Sequence, residues 1–326
     1  MKPNIPIALG AGAITAVVFA SATTGSTFVR MLLLAIVTLP IALAGLSYNA
    51  ATALLGAVVA SVIVAVLVSP TFGVVFALTT VLPVAGLVYL TLLHRPTNAP
   101  AGTPADSPAQ SQWYPIGTAI VASAVMAGCI VGASLQLVAS QGAGLEKLRE
   151  AVTEAVKQGL KGFPGLPGQS LPDADLAALS DRMLNLMPGL SAATWMGSIL
   201  VCLWLAGHVA LASGQLARPW PNFGAMTYPA GTSLLLAGAL AAGMMLDGLP
   251  RLIALGFAGA LYVAYVLLGL AIIHHLTRTY PWRNPTLSAV YLLLLVLTVP
   301  VSLVIALVAL VDSIRPLRPR ATEGAV

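Results

Sequence analysis

Charge is what this sequence has least of. Only 8% of its 326 residues are Asp, Glu, Lys or Arg, and the 63 residues from Met31 to Leu93 include none. Eleven of the 25 charged residues crowd between Glu146 and Arg182, so 14 serve everything else. With 58% hydrophobic residues and a mean hydropathy of +0.94, a water-soluble fold is excluded. Cysteine is also scarce. Cys129 and Cys202 both sit inside apolar runs, which makes them small packing residues rather than a disulfide or metal pair, and no redox compartment follows from them. Aromatics amount to 6%, and the basic residues lie singly at the ends of apolar runs instead of in a patch with interleaved rings. The net charge of +5 therefore points to topology anchors and not to nucleic acid. No nucleotide, metal, triad or haem motif occurs, so no cofactor or metal is expected. Without paired carboxylates or a Ser or Cys nucleophile spaced near a His, an enzyme is not expected either.

What is present is hydrocarbon-compatible helix. Apolar segments near the length needed to cross a bilayer of about 30 Å fall at 7–22, 28–45, 50–68, 72–93, 115–140, 191–213, 230–246, 251–276 and 286–311. Each Leu, Ile, Val or Phe at mid-membrane favours insertion by about 0.3 to 0.6 kcal/mol, and backbone groups in lipid must be paired within their own segment. The expected fold is all-α, a polytopic transmembrane helical bundle of eight or nine segments. The first run and 230–246, short and rich in Ala and Gly, are the weakest spans. The opening residues, ending in Ala20-Ser21-Ala22, also carry the small-x-small pattern of a cleaved leader; a retained first helix is the reading adopted, because a chain with so many later spans needs none.

Two stretches interrupt the pattern. Residues 94–113 are rich in Pro, Ala and Ser and read as a flexible linker between an N-terminal membrane half at 1–93 and a further span at 114–140. In 141–190, Leu145, Leu148, Val152, Val156 and Leu160 recur at helical spacing, with Glu146, Lys147, Arg149, Glu150, Glu154 and Lys157 on the other face. A turn at Pro164–Pro167 and a second helix with Leu176, Leu179, Met183 and Leu186 on one face, stopped by Pro188, complete an amphipathic pair. It either lies in the headgroup plane or caps the bundle. A C-terminal membrane part at 191–312 and a basic tail at 313–326 follow. Nine spans put the termini on opposite sides. The basic residues of the long loop favour a cytoplasmic C-terminus, unless Pro300 splits the last run and changes the parity.

An ionisable residue in lipid is a functional candidate by default. His208 lies in the sixth run four residues after Trp204, and with Gln136 these form a candidate pocket set, His208 being expected to face the interior. The bland alternative is a neutral imidazole hydrogen-bonded across a helix interface. Asn49 and Tyr48 are weaker polar candidates. Asp247 and Arg251 flank Gly248-Leu249-Pro250, where a local ion pair is expected to close a helical hairpin. Small residues recur every four positions as Ala8, Gly12, Ala16 and Ala20, a stripe that either packs inside the bundle or docks a partner.

Leu39-Pro40 with Ala44-Gly45-Leu46, the loop Arg218-Pro219-Trp220-Pro221, Leu268-Gly269-Leu270-Ala271-Ile272-Ile273-His274 and the ending Val311-Asp312-Ser313-Ile314-Arg315 resemble the YybS-like family of uncharacterised polytopic bacterial membrane proteins. Its usual ending has a Gly shortly before the Asp, where this chain has Val308-Ala309-Leu310. That family is distantly similar to the S components of energy-coupling-factor transporters, which hold a vitamin or metal in a helical core and dock through a first-helix stripe onto a membrane subunit driven by ATPases. The resemblance implies a multi-pass protein of the bacterial inner membrane whose partners are the lipid bilayer, an unidentified small solute and such a transporter subunit. It gives Ala8, Gly12, Ala16 and Ala20 the role of partner docking. The expected function is solute binding for uptake; the rival is a non-transporting membrane scaffold or envelope-assembly factor. A pocket of a few hundred Å³ with convergent polar groups separates the two.

Overall fold

A computed structural model describes residues 2–96, 111–140, 144–161, 172–315 and 318. In chain order they form α1 (Ile5–Thr24), α2 (Thr27–Ile36), α3 (Leu39–Ser47), α4 (Ala50–Leu67), α5 (Pro70–Phe76), a π-helical turn (Ala77–Val81), α6 (Leu82–Leu92), strands β1 (His94–Pro96) and β2 (Ser111–Trp113), α7 (Ile116–Ser140), α8 (Gly144–Lys161), α9 (Asp173–Ala212), α10 (Thr232–Met245), α11 (Gly248–Leu276), α12 (Arg283–Val296) and α13 (Thr298–Ile314). Seven stretches are long and apolar enough to cross a membrane: Ile5–Thr23, Thr27–Ser47, Ala50–Leu67, Pro70–Leu92, Ile116–Ser140, Asp173–Ala212 and Gly248–Leu276. Thr232–Met245, Arg283–Val296 and Thr298–Ile314 are shorter apolar helices. The protein is a helical membrane protein, with seven span-length stretches among the described residues where the hydropathy pattern suggested eight or nine.

The chain divides into two compact units, and not at the 94–113 linker. The first comprises Met1–Ser123 and Gly197–Pro229, the second Ala124–Met196 and Ala230–Pro319. The 94–113 linker begins and ends in short strands. Its ends pair as an antiparallel ladder, His94 with Trp113 and Pro96 with Ser111, while 97–110 lies outside the described residues.

In the first unit α4 is central, touching α1, α3, α5 and α6. Its small buried face, Ala53, Gly56, Ala57 and Ala60, lets neighbours approach closely. α1 runs alongside it in the same direction. At their common start Asn49 caps α4 by accepting from Thr52 N–H at 2.9 Å, Asn4 N–H donates to Thr52 Oγ1 at 3.0 Å, and Asn49 Nδ2 donates to the Lys2 carbonyl at 3.1 Å. Farther along, a Cβ on Gly12 would stand 2.6 Å from the Gly56 carbonyl oxygen. At the far end of α1, Arg30 Nε donates to the Ala22 carbonyl at 3.2 Å and closes the turn into α2. Pro83 cannot continue an α-helical ladder from α5, and the π-helical turn before it absorbs the misfit.

In the second unit α11 is the buried member, contacting α10 and α13. Gly269 lies against the Ile305 backbone, and Tyr262 shares a 2.6 Å hydrogen bond with Ser302 of α13. The 286–311 run is not one helix. Pro300 lacks an N–H and its ring would strike the carbonyl four residues back, so α12 ends at Val296 and Pro300 sits in the first turn of α13, where proline is tolerated. Pro188, expected to stop the second amphipathic helix, instead lies inside the continuous 40-residue α9. Membrane helices tolerate this because neighbouring groups satisfy the freed carbonyl. The adjoining Gly189 and Gly259 bring α9 and α11 into backbone contact. α8 has the anticipated two faces. Its Val152 is buried with Leu184 and Leu252, flanked by Leu145, Leu148 and Val156, and Arg149 pairs with Asp181 at 3.0 Å. On the facing part of α9, Leu176 and Leu179 are half-buried but Met183 and Leu186 are exposed, while Ser180 and Leu184 are buried. The apolar side is thus rotated from the expected one. The Pro164–Pro167 turn lies outside the described residues.

Candidate functional site

The first unit contains a cleft of about 370 Å³. One wall is the Pro6, Ile7, Gly10, Ala11 and Ile14 face of α1, a second is Pro40, Leu43 and Ala44 of α3, and a third is Val209 of α9. Ser47, Tyr48, Ser213 and Gln215 complete the lining. Spacings of three and four residues put 7, 10, 11 and 14 on one stripe of α1, while Ala8, Gly12 and Ala16 turn towards α4. Gly10 creates part of the space: a Cβ there would meet nothing within 4 Å.

The four polar residues gather at one end because helices terminate there. Ser47 is the last residue of α3, and Tyr48 follows with its N–H bonded to the Ala44 carbonyl. At the end of α9, Gly214 takes φ +68° and donates to the Leu211 carbonyl at 3.0 Å, while Gln215 N–H donates to the Ala210 carbonyl at 2.8 Å. These two bonds make a Schellman cap, which needs a residue free to adopt left-handed φ and which fixes where Gln215 leaves the helix. Two residues later Ala217 N–H donates to the Leu46 carbonyl at 3.0 Å, tying the loop to the end of α3.

That loop carries the Arg218-Pro219-Trp220-Pro221 sequence. The Arg218 guanidinium donates to the Thr91 carbonyl at 2.7 Å, in the last turn of α6 where helix carbonyls are unpaired, and lies 5.5 Å from the centre of the Trp113 ring. Trp113 in turn stacks at 4.7 Å on His94 across the ladder. No carboxylate pairs with Arg218 among the described residues, and burial pulls its pKa below the usual arginine range. Arg218 is a clasp joining loop, ladder and helix end. The indole of Trp220 lies over Gly207, with ring centres 4.3 Å from His208, and His208 is also 4.3 Å from Trp204 in an edge-on contact.

In the second unit Asp312 and Arg318 form a buried ion pair at 2.9 Å, in the last turn of α13 and just beyond it. His274 Nε2 is 2.8 Å from the Tyr291 hydroxyl of α12. Asp247 stands at the N-cap of α11 without the expected ion pair to Arg251, whose Nε is buried without a partner among the described residues. No group of three or more His, Cys, Asp or Glu converges among those residues; Cys202 donates its thiol to the Ala35 carbonyl at 3.0 Å and Cys129 is exposed.

Residues 13–313 match the family described as Predicted membrane protein (DUF2232). The chain belongs to that family. No curated protein and no solved structure matches it. The match covers nearly the whole of this DUF2232 chain and carries no activity with it.

Of the residues singled out in the sequence, the fold unites Trp204 and His208 and adds Trp220, which the spacing did not suggest. Gln136 belongs to the other unit and is exposed near the end of α7. His208 is exposed rather than enclosed, and Trp204 retains 52% of its surface, so the expected interior position is not met. The docking stripe is also corrected. Ala8, Gly12 and Ala16 are buried against α4 and Ala20 is half-buried, because the contact with Gly56 and Val59 requires small residues there. Tyr48, noted as a weak polar candidate, does line the cleft, whereas Asn49 is spent on capping α4. The rest of the lining had no signal beyond helix-terminal Ser and a Gly-Gln pair after an apolar run.

Proposed function

We propose that this DUF2232 protein binds a small molecule within its first unit. The supporting observation is the cleft: its volume falls in the range of ligand sites, its walls are apolar, and Ser47, Tyr48, Ser213 and Gln215 converge at one end. A transporter-like form of this reading, in a bacterial inner membrane and alongside an ATPase-driven subunit, has the resemblance to the YybS-like family and to S components as its support. Any docking surface would have to lie elsewhere than on the buried Ala8-Gly12-Ala16 face. The scaffold reading is favoured by one observation, the exposed charged face of α8 with Glu150, Glu154 and Lys157.

The test is retention of a small molecule through purification of the full chain in mild detergent, followed by native mass spectrometry. Gly10→Leu places a side chain in the cleft without meeting a neighbouring atom at Cβ. A bound species present in the wild type and absent from Gly10→Leu supports binding. Identical spectra, with no retained species, favour the scaffold.

A further inference from the structure

The cleft's chemistry is graded along its length, and this narrows what it takes. At 1.5 Å per residue, Ile14 lies about 13 Å along α1 from its first residue, and Pro40 lies about 10 Å back from Ser47 on α3. These positions, at the far end of the cleft, are apolar, as are Leu43, Ala44 and Val209. All four polar residues lie at the other end, where α3 and α9 terminate and α1 begins. None of the lining residues is charged. A small polar solute would leave most of the wall against water or bare, and an ionic head would be desolvated without a counter-charge. A hydrocarbon alone would leave the Ser47, Tyr48 and Gln215 groups without a ligand partner.

Resting on the binding reading above, we infer that the ligand is a single-chain amphiphile with an uncharged, hydrogen-bonding head. Its chain lies between α1, α3 and Val209, and its head meets Ser47, Tyr48, Ser213 and Gln215. Ser213 Oγ donates to the Val209 and Ala210 carbonyls at 3.0 and 3.1 Å and so offers the head only acceptor lone pairs, while Ser47, Tyr48 and Gln215 carry groups that both donate and accept, which suits a hydroxylated or amide head better than a phosphate.

The probe is a diazirine-bearing monoacylglycerol, compared with the same chain carrying a phosphate head, on the full-length protein in phosphatidylcholine nanodiscs. Labelling is mapped by peptide sequencing, with the exposed surface of α12 as the bulk-lipid reference. The monoacylglycerol is expected to concentrate on 6–14, 40–48 and 209–215. Gly10→Leu should reduce that labelling by roughly tenfold, the equivalent of about 1.4 kcal/mol, and leave α12 unchanged. Gln215→Leu keeps the Schellman cap, because its backbone N–H remains, and should lower the preference for the diol over the phosphate head. Unaltered melting of both variants by circular dichroism shows that they fold. Cleft labelling no stronger than that of α12, or a phosphate probe that labels it equally, overturns the assignment. If native mass spectrometry shows a polar solute that Gly10→Leu expels while monoacylglycerol labelling does not respond, the ligand class fails and the binding reading stands. If neither responds, both fail.

Discussion

Gly10 and Gly12, two residues apart on α1, should respond to the same added methyl group with opposite signs. On Gly12 the new Cβ would stand 2.6 Å from the Gly56 carbonyl oxygen and 2.8 Å from Val59 Cβ and Cγ1. Unstrained carbon contacts lie near 3.5–4.0 Å, so the shortfall is about 1 Å. A backbone carbonyl cannot rotate aside, and the crossing at Gly56 and Ala8 has no slack, since a Cβ on Gly56 would itself meet the Ala8 carbonyl at 3.3 Å. α1 and α4 must part, at the 1–3 kcal/mol typical of overpacking. Replacing a helical Gly by Ala returns at most about 1 kcal/mol of backbone entropy. Gly12→Ala should therefore be destabilised by about 1–2 kcal/mol. Gly10→Ala meets no atom within 4 Å and keeps the entropic gain, for a net stabilisation of about 0.5–1 kcal/mol. Unfolding in mixed dodecylmaltoside and SDS micelles, followed by far-ultraviolet circular dichroism, measures both. Equal stability of the two variants, or a more stable Gly12→Ala, would refute the placement of the small-residue stripe against α4.

Asp312→Ala removes the carboxylate from the buried Arg318 guanidinium and should cost about 3–5 kcal/mol in the same unfolding assay, while the double variant Asp312→Leu with Arg318→Met recovers most of it; equal losses would show that the pair is not buried. Arg218→Lys loses the planar group that stacks on Trp113 and reaches Thr91, and should speed hydrogen exchange across 213–229 by roughly tenfold, about 1.4 kcal/mol. Unchanged exchange would mean that other contacts hold the loop.

The parts of this structure legible in the sequence are those where one local rule acts alone. α8 declared itself because charged and apolar residues alternate at helical spacing, and its buried Val152 sits where that spacing puts it. Proline was harder to read because its meaning depends on position. Pro188 lies inside α9, while Pro300 marks the break between α12 and α13, and the deciding factor is the packing around each. At 188 the adjoining Gly189 meets Gly259, a contact 70 residues away in sequence that no local pattern encodes. The cleft was illegible for the same reason. It is made where α1, α3 and the end of α9 leave space, and Gly10 contributes by having no side chain. The His94–Trp113 ladder was hidden by a composition that signals only a linker, although it carries Trp113, the ring that Arg218 lies over.

The first unit also bears on sidedness. Lys2 precedes α1, Arg95 follows α6 and Arg218 follows α9; the bonds Asn49 to Lys2, Ala217 to Leu46 and Arg218 to Thr91 bring these helix ends to one end of the unit. The opposite end holds Arg30, at the turn between α1 and α2. Three basic residues against one, among the described residues of this unit, predict by the positive-inside bias that the Lys2 end faces the cytoplasm. In that orientation the polar end of the cleft and the start of α1 both face the cytoplasmic interface. A nine-span count with a cytoplasmic C-terminus would require the reverse at α1, and the break at Leu297 removes the premise of nine uninterrupted spans. Cysteine accessibility decides. In a background with Cys129 and Cys202 replaced by Ala, Ser26→Cys should react with a membrane-impermeant maleimide on intact cells, and Gln215→Cys only after permeabilisation. The opposite pattern would put the cleft mouth outside the cell and overturn the charge argument, because four singly placed basic residues leave no other electrostatic term in this unit to reverse it.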